Sequence, residues 1–82
     1  MEVRLLVSQW CPSCPRAEAV WADVARRHQL DYSVLDISKP EGRALVADLH
    51  IRTVPAVVVD GQLKAVGVQS PSEALALVGL AA

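Results

Sequence analysis

The chain has 82 residues, of which 52% are hydrophobic and 21% charged, and its net charge at pH 7 is −1. This composition is typical of a globular domain, and no apolar run reaches the roughly 20 residues that a membrane-spanning helix needs. At this length we expect a single domain, residues 1–82. The scattered basic residues form no stripe with aromatic side chains, which argues against nucleic acid as a partner.

The first residues, Met1-Glu2-Val3-Arg4, lead directly into a patterned segment. They lack the basic start, apolar stretch and small-residue cleavage site of a secretory signal, so we expect a cytoplasmic protein. The basic cluster Arg26-Arg27-His28 falls at the predicted carboxyl end of a helix, where cations suit the helix dipole. It therefore predicts a solvated helix end and not a binding patch.

The first half of the sequence predicts a strand, a helix and a second strand. Residues 2–8 hold a short apolar run, which fits a strand buried on both faces better than a helix. From Pro12 onward, apolar residues recur at spacings of three and four as far as Gln29, which predicts an amphipathic helix. Residues 32–37 are mainly apolar and predict the second strand.

The middle of the chain predicts a second helix and a hairpin. Residues 40–49 predict a short helix that begins at a proline and that Gly42 should weaken. Residues 54–59 and 63–66 predict two strands. Because both residues of Asp60-Gly61 tolerate positive φ, they predict a type I′ turn, and the two strands should pair antiparallel.

The last predicted element is a helix over residues 71–80, in which Ser70 supplies the N-cap hydroxyl, Pro71 the first helical residue and Glu73 the capping-box carboxylate. The element order is then βαβαββα. Since strand–helix–strand crossovers are right-handed and the final hairpin must pair antiparallel to the first strand, we expect an α/β fold. Its four-stranded mixed sheet should have the order 2-1-3-4, with helices on both faces.

Both cysteines, Cys11 and Cys14, stand where the first strand is predicted to meet the first helix. The opening N–H groups of a helix lack internal partners and the helix dipole is positive there, so the pKa of the Cys11 thiol should fall below its free value of about 8.5. Cys14, one turn later, should be shielded. We therefore predict that Cys11 attacks a substrate disulfide and that Cys14 resolves the mixed disulfide, while Pro12 at the first helical position stiffens the ring.

Three alternatives for this pair remain open. A structural disulfide is disfavoured, because a bridge of such short span constrains the unfolded chain little and a cytosol would tend to reduce it. A zinc site could use Cys11, Cys14, His28 and His50, but His28 at the far end of the helix would lie more than about 20 Å from Cys11 at roughly 1.5 Å per residue. The third alternative is two unrelated buried thiols.

Two segments, Trp10-Cys11-Pro12-Ser13-Cys14 and Ile51-Arg52-Thr53-Val54-Pro55, resemble the thioredoxin and glutaredoxin superfamily. A CxxC motif alone is a modest signal, but a Val-Pro that opens the third strand and the Asp-Gly turn that follows make the combination specific. The resemblance covers nearly the whole chain, in a short form without the extra amino-terminal strand and helix of typical thioredoxins. It implies the thioredoxin fold and a redox-active Cys11–Cys14 disulfide.

The resemblance also implies a substrate surface around the cysteines. Pro55 would be cis and face the disulfide, and Val54 would offer its N–H and C=O to an extended substrate segment. Trp10 would form one wall of this surface, and Gly67 would allow close approach of the substrate. The alternatives are an ordinary trans proline at Pro55 and a core position for Trp10. Trp21, on the apolar helix face, is expected to pack in the core.

Three departures from the superfamily affect these expectations. The stretch Arg4-Leu5-Leu6-Val7 lacks the buried carboxylate that thioredoxins place beneath the second cysteine, so water or another group must take the Cys14 proton. The segment Gly67-Val68-Gln69-Ser70-Pro71 replaces the Gly-Gly-acid segment of glutaredoxins and argues against glutathione binding. Pro15 directly follows Cys14 and predicts a distorted first helical turn, which would favour a more reducing pair.

Together these features predict a monomeric dithiol oxidoreductase that reduces disulfides in proteins or small molecules. No metal or organic cofactor is implied, no membrane is involved, and electrons must come from a separate reductase of the thioredoxin reductase kind. The first alternative is a glutaredoxin-like protein recharged by glutathione. The second is a non-catalytic module that uses the Trp10 and Pro55 surface for binding or redox sensing.

Overall fold

The computed structural model describes residues 1–80 and has the predicted order of elements. They are β1 (Glu2–Val7), α1 (Cys14–His28), β2 (Asp31–Asp36), α2 (Pro40–Leu49), β3 (Ala56–Val59), β4 (Gln62–Val66) and α3 (Pro71–Leu77). None of the helices within residues 1–80 is long and apolar enough to cross a membrane.

The four strands form one mixed sheet in the order β2-β1-β3-β4, which confirms the predicted topology. β1 pairs parallel with β2 and antiparallel with β3, and β3 pairs antiparallel with β4. Asp60 and Gly61 both have positive φ, 49° and 82°, as the predicted type I′ turn requires. The Asp60 N–H also donates to the Glu2 carbonyl at 2.8 Å, which ties the hairpin to the start of β1.

The core has one layer on each face of the sheet, because successive side chains of a strand point to opposite faces. Leu5 of β1 belongs to the layer that α1 and α3 cover, and Trp21 is fully buried there, as predicted. Leu6, the next residue, belongs to the other layer, where it joins Ile51 and partly buried residues of α2 such as Leu45. β1 is therefore covered on both faces, in agreement with its unbroken apolar run.

The capping box predicted for α3 is present. The Glu73 N–H donates to Ser70 Oγ at 3.2 Å, and the Ser70 N–H donates to Glu73 Oε1 at 2.9 Å. The same backbone hydrogen bond to its carboxylate lowers the pKa of Glu73. The helix ends at Leu77, earlier than the predicted residue 80, because Gly79 takes a left-handed conformation with φ 73°.

Gly42 has a structural role that helix propensity alone conceals. It is buried where the first turn of α2 crosses the end of β2, and a Cβ at this position would overlap the Asp36 carbonyl and approach Ile37 Cα to 3.0 Å. The obstacle is backbone, which cannot rotate away as a side chain can. The residue that weakens α2 as a helix therefore allows α2 to begin directly after β2.

We expect Gly42→Ala to lower the free energy of unfolding by about 2 kcal/mol, because the overlap outweighs the gain of about 1 kcal/mol in helix propensity. Urea unfolding followed by circular dichroism measures the change. Ala44→Gly, at an exposed position of the same helix, is the control and should cost only about 1 kcal/mol. If Gly42→Ala were more stable than the wild type, the conclusion that the backbone of Asp36 leaves no room for a Cβ at this position would be wrong.

Candidate active site

The two cysteines lie in a tight turn between β1 and α1. The Cys11 N–H donates to the Ser8 carbonyl at 3.1 Å, and the Cys14 N–H donates to the Cys11 carbonyl at 3.3 Å. The turn brings the two Cα atoms to 5.4 Å, and a disulfide joins the sulfurs. Cys14 is 2% exposed, whereas Cys11 is only partly buried. The two ends of the bridge therefore differ in their access to a substrate.

The predicted helix start at Pro12 is wrong. α1 begins at Cys14, with Ser13 as the N-cap residue and Pro15 as the second helical residue. The N–H groups of a first helical turn have no intrahelical acceptor, so Pro15 removes no hydrogen bond there. The Ser13 carbonyl accepts from both Arg16 and Ala17 N–H groups, each at 3.2 Å, which tightens this turn.

Because the helix begins at Cys14, Cys11 precedes it by three residues and is not at its cap. The Ser13 hydroxyl is a polar group in contact with this cysteine, since its Oγ lies 3.6 Å from Cys11 Sγ. This hydroxyl can donate a hydrogen bond to the sulfur once the bridge opens and Cys11 carries a negative charge. The sequence placed Ser13 inside the motif but gave no indication of this contact.

A groove of about 280 Å³ opens beside the disulfide, and it is lined by Ser8, Trp10, Cys11, Pro12, Ser13 and Val54. Trp10 is 83% exposed, which excludes the alternative of a core tryptophan. The groove brings together three of the residues expected to meet substrate, which are Trp10, Pro12 and Val54. Pro55 and Gly67 do not line it.

The other two expected residues lie behind the groove and hold its wall. The Val54–Pro55 peptide bond is cis, and Pro55 is buried. The Gly67 N–H donates to the Pro55 carbonyl at 2.7 Å, and Gly67 has φ 84°, which glycine adopts without strain. Among residues 1–80, neither the N–H nor the C=O of Val54 takes part in a backbone hydrogen bond. These two groups are therefore free to pair with another extended segment.

Gln69 is a site-supporting residue that the sequence did not identify. It is 6% exposed and is the only buried polar residue within residues 1–80. Its Oε1 accepts from the Trp21 indole N–H at 3.0 Å, and its Nε2 donates to the Val66 carbonyl at 3.3 Å. Gln69 thus joins α1, which carries Cys14, to the loop whose Gly67 holds Pro55. No sequence pattern marks a lone glutamine between Val68 and Ser70.

The interior of the site contains no charged group among the residues that the structure describes. Since Gln69 is the only buried polar residue that residues 1–80 contain, no carboxylate is buried with Cys14. This agrees with the sequence Arg4-Leu5-Leu6-Val7 of β1, which lacks the carboxylate expected beneath the second cysteine. Within the same residues, no three His, Cys, Asp or Glu side chains come together as a possible metal-binding group.

Comparisons with known proteins agree with this geometry. The family model for the thioredoxin domain matches residues 1–79. A probable thioredoxin of Archaeoglobus fulgidus is 32% identical over 71 residues, which cover 87% of this chain and 78% of that protein. The chain therefore belongs to the thioredoxin family.

Solved structures show the same fold. Thioredoxin 1 of Thermosipho africanus superposes with a TM-score of 0.76 at 19% identity, covering 96% of this chain and 91% of that one. The oxidised thioredoxin of Plasmodium falciparum gives a TM-score of 0.64 at 16% identity, covering 99% and 83%. The thioredoxin fold and the close Cys11–Cys14 pair are those of a thiol–disulfide oxidoreductase.

We expect Gln69→Leu to lower the free energy of unfolding by about 1–3 kcal/mol, because it leaves the buried Trp21 indole N–H without an acceptor. The free energy of unfolding of Gln69→Glu, in contrast, should depend on pH. A neutral carboxyl can accept from Trp21 and donate to the Val66 carbonyl, whereas the ionised form cannot donate and pays for its burial. Burial therefore raises the pKa of the new carboxyl in the folded state above its unfolded value.

The stabilisation that this carboxyl contributes to the folded protein is complete below its pKa in the unfolded state. It is lost as the pH rises through its pKa in the folded state. Relative to the wild type at each pH, Gln69→Glu should be nearly as stable at about pH 4.5 and should approach Gln69→Leu at about pH 7.5. Urea unfolding of the three proteins at both pH values provides the measurement. A pH-independent difference between Gln69→Glu and the wild type would contradict the bridging role.

Proposed function

We propose that this chain reduces disulfide bonds of proteins or small molecules by two successive thiol–disulfide exchanges. The observation that carries the proposal is the unequal exposure of the bridge. Cys11 lines an open groove, whereas Cys14 is 2% exposed in the first turn of α1. A substrate can reach only the first sulfur, so Cys11 is the nucleophile and Cys14 the resolving residue.

In the reduced protein, the Cys11 thiolate attacks one sulfur of the substrate disulfide. A Cys11–substrate bond forms as the substrate S–S bond breaks, and the other substrate sulfur leaves as a thiolate that takes a proton from water. Cys14 then loses its proton and attacks Cys11 Sγ, which closes the Cys11–Cys14 bridge and releases the second substrate thiol. Two electrons pass from protein to substrate. Because no carboxylate is buried with Cys14 among residues 1–80, the Cys14 proton goes to water.

Substrate positioning falls to the wall opposite the cysteines. The unpaired N–H and C=O of Val54 support an antiparallel pairing with an extended substrate segment, as at an open sheet edge. Trp10 offers a large apolar face next to Cys11, and Pro12 limits the movement of the turn between the cysteines. Pro55, held by Gly67, keeps Val54 in place.

The reaction needs a source of electrons and no metal or organic cofactor. We propose a separate reductase of the thioredoxin reductase kind, working with a monomer in the cytoplasm, where dithiols are kept reduced. The resemblance to thioredoxins favours this donor over glutathione. The sequence around Pro71 points the same way, because proline removes one of the N–H donors that would hold a glutathione carboxylate.

The proposed catalysis is tested by insulin reduction with dithiothreitol as the electron source. The precipitation of reduced insulin is followed by turbidity. We expect a rate well above that of dithiothreitol alone, because a preorganised thiolate in a groove exchanges faster than a free dithiol. Cys11→Ser, shown to be folded by circular dichroism, is the control and should match dithiothreitol alone. A wild-type rate no higher than that of dithiothreitol alone would contradict catalysis and favour a non-catalytic module for binding or redox sensing.

The assignment of roles is tested by trapping. Cys14→Ser should accumulate a mixed disulfide between Cys11 and a protein substrate, because the resolving step is lost. Cys11→Ser should trap none, since Cys14 is buried. Non-reducing electrophoresis and mass spectrometry of the linked peptide identify the bond. Equal trapping by the two variants would overturn the roles.

A further inference from the structure

The charges of the site differ in sign from those of the rest of the chain. The segments that build the site, residues 8–16, 51–55 and 66–70, contain none of the nine acidic residues. They contain two basic residues, Arg16 and Arg52, and so carry a charge of +2. Since the whole chain carries −1, the remaining residues carry −3.

These two arginines are also without ionic partners. Three of the other four arginines are paired with carboxylates: Arg4 with Glu2 at 2.9 Å, and Arg26 and Arg27 with Asp23 at 2.7 and 3.0 Å. The fourth, Arg43, donates to the Ser38 carbonyl at 3.1 Å. Within residues 1–80, Arg16 and Arg52 form no salt bridge, and both are exposed. Their charges are thus available to a ligand.

Both arginines stand next to residues of the site. Arg16 lies in the first turn of α1, two residues after Cys14, and Arg52 lies two residues before Val54. At about 3.3 Å per residue of extended chain, Arg52 is within roughly 7 Å of Val54, less than the Debye length of about 8 Å at physiological salt. The groove lining itself is uncharged. The groove thus has an uncharged lining, and two cations without a salt bridge in residues 1–80 stand close by in sequence, one two residues from Cys14 and one two residues from Val54.

We infer that the site selects disulfides flanked by carboxylates, and that its substrate is an acidic, extended segment of another protein. The uncharged groove would take the disulfide and its apolar neighbours beside Trp10, Val54 would pair with the backbone, and substrate Asp or Glu side chains would meet Arg16 and Arg52. This inference rests on the proposed function and adds the substrate class. Opposite charges at such a rim mainly accelerate encounter and suppress partners of the wrong sign.

The test uses two synthetic peptides with the same intramolecular disulfide, flanked by Glu residues in one and by Lys residues in the other. The reduced wild-type protein, freed of reductant, is mixed with each peptide, and the released peptide thiols are followed by chromatography. We expect the acidic peptide to react about tenfold faster at about 20 mM salt, with the ratio falling towards one at about 500 mM. Oxidised glutathione, a small disulfide that also carries carboxylates, forms a third arm.

The variant Arg16→Glu/Arg52→Glu should abolish or invert the preference for the acidic peptide. The matched control, Arg26→Glu/Arg27→Glu, changes the net charge equally at the far end of α1 and should keep the preference. If the substitutions also changed the pKa of Cys11, the reduction rates of both peptides would change by the same factor, and their ratio would stay the same.

The outcomes separate the two proposals. If wild-type protein reduces neither peptide, the proposed function fails. If it reduces both at equal, salt-independent rates, or if the two charge-reversed variants lose the preference equally, only the acidic-substrate inference fails. Oxidised glutathione reacting faster than the acidic peptide would also overturn the choice of a protein segment.

Discussion

The pairing of β1 with a parallel neighbour on one side and an antiparallel neighbour on the other determines which loops meet. The carboxyl end of β1 leads into the cysteine turn, and the antiparallel β3 starts at that same end. The register pairs Leu6 with Ala56, so that Val54 and Pro55 reach the level of Ser8 and the cysteines beyond it. The groove is a consequence of this register, because a shift by one residue would move Val54 along β1 and exchange the side chains of β3 between the two core layers.

The proposed chemistry depends on an asymmetry that the helix start creates. Cys14 is the first residue of α1 and turns into the core, whereas Cys11 stays outside the helix in the turn that follows β1. Behind this pair, the buried Gln69 ties Trp21 of α1 to the end of β4. The adjacent Gly67 holds Pro55. The wall of the groove that carries the cysteines and the wall that carries Val54 are thus joined by hydrogen bonds that do not involve the sulfurs.

Charge adds a second level of organisation to the same surface. Carboxylates pair with arginines on β1 and at the far end of α1, while Arg16 and Arg52 form no salt bridge in the part of the chain that the structure describes. Residues 1–80 place no buried carboxylate at the site, and the Ser13 hydroxyl is the side-chain polar group that contacts Cys11 Sγ. The net charge of −1 therefore does not describe the segments that build the site, which carry +2, and this local charge is the basis for the inferred acidic substrate.

The sequence by itself determined the features that depend on neighbouring residues. These are the order of elements, the Asp60-Gly61 turn, the capping box at Ser70 and the cysteine spacing, each set by local conformational preference or local hydrogen bonding. The strand order also followed, because crossover handedness leaves few topologies. The sequence predicts the start of α1 at Pro12, two residues too early, since Pro12 and Pro15 both suit a first turn and local propensity cannot choose between them.

Only the tertiary structure decided the contacts between residues far apart in the chain. The fit of Gly42 against Asp36, the Trp21–Gln69 hydrogen bond and the meeting of Val54 with Cys11 in one groove all require the sheet and helices to be packed. Such contacts have no sequence period, because each depends on the register of strands and the crossing of helices. A glycine that weakens a helix and a glutamine without a motif therefore gained their roles only when the layers came together.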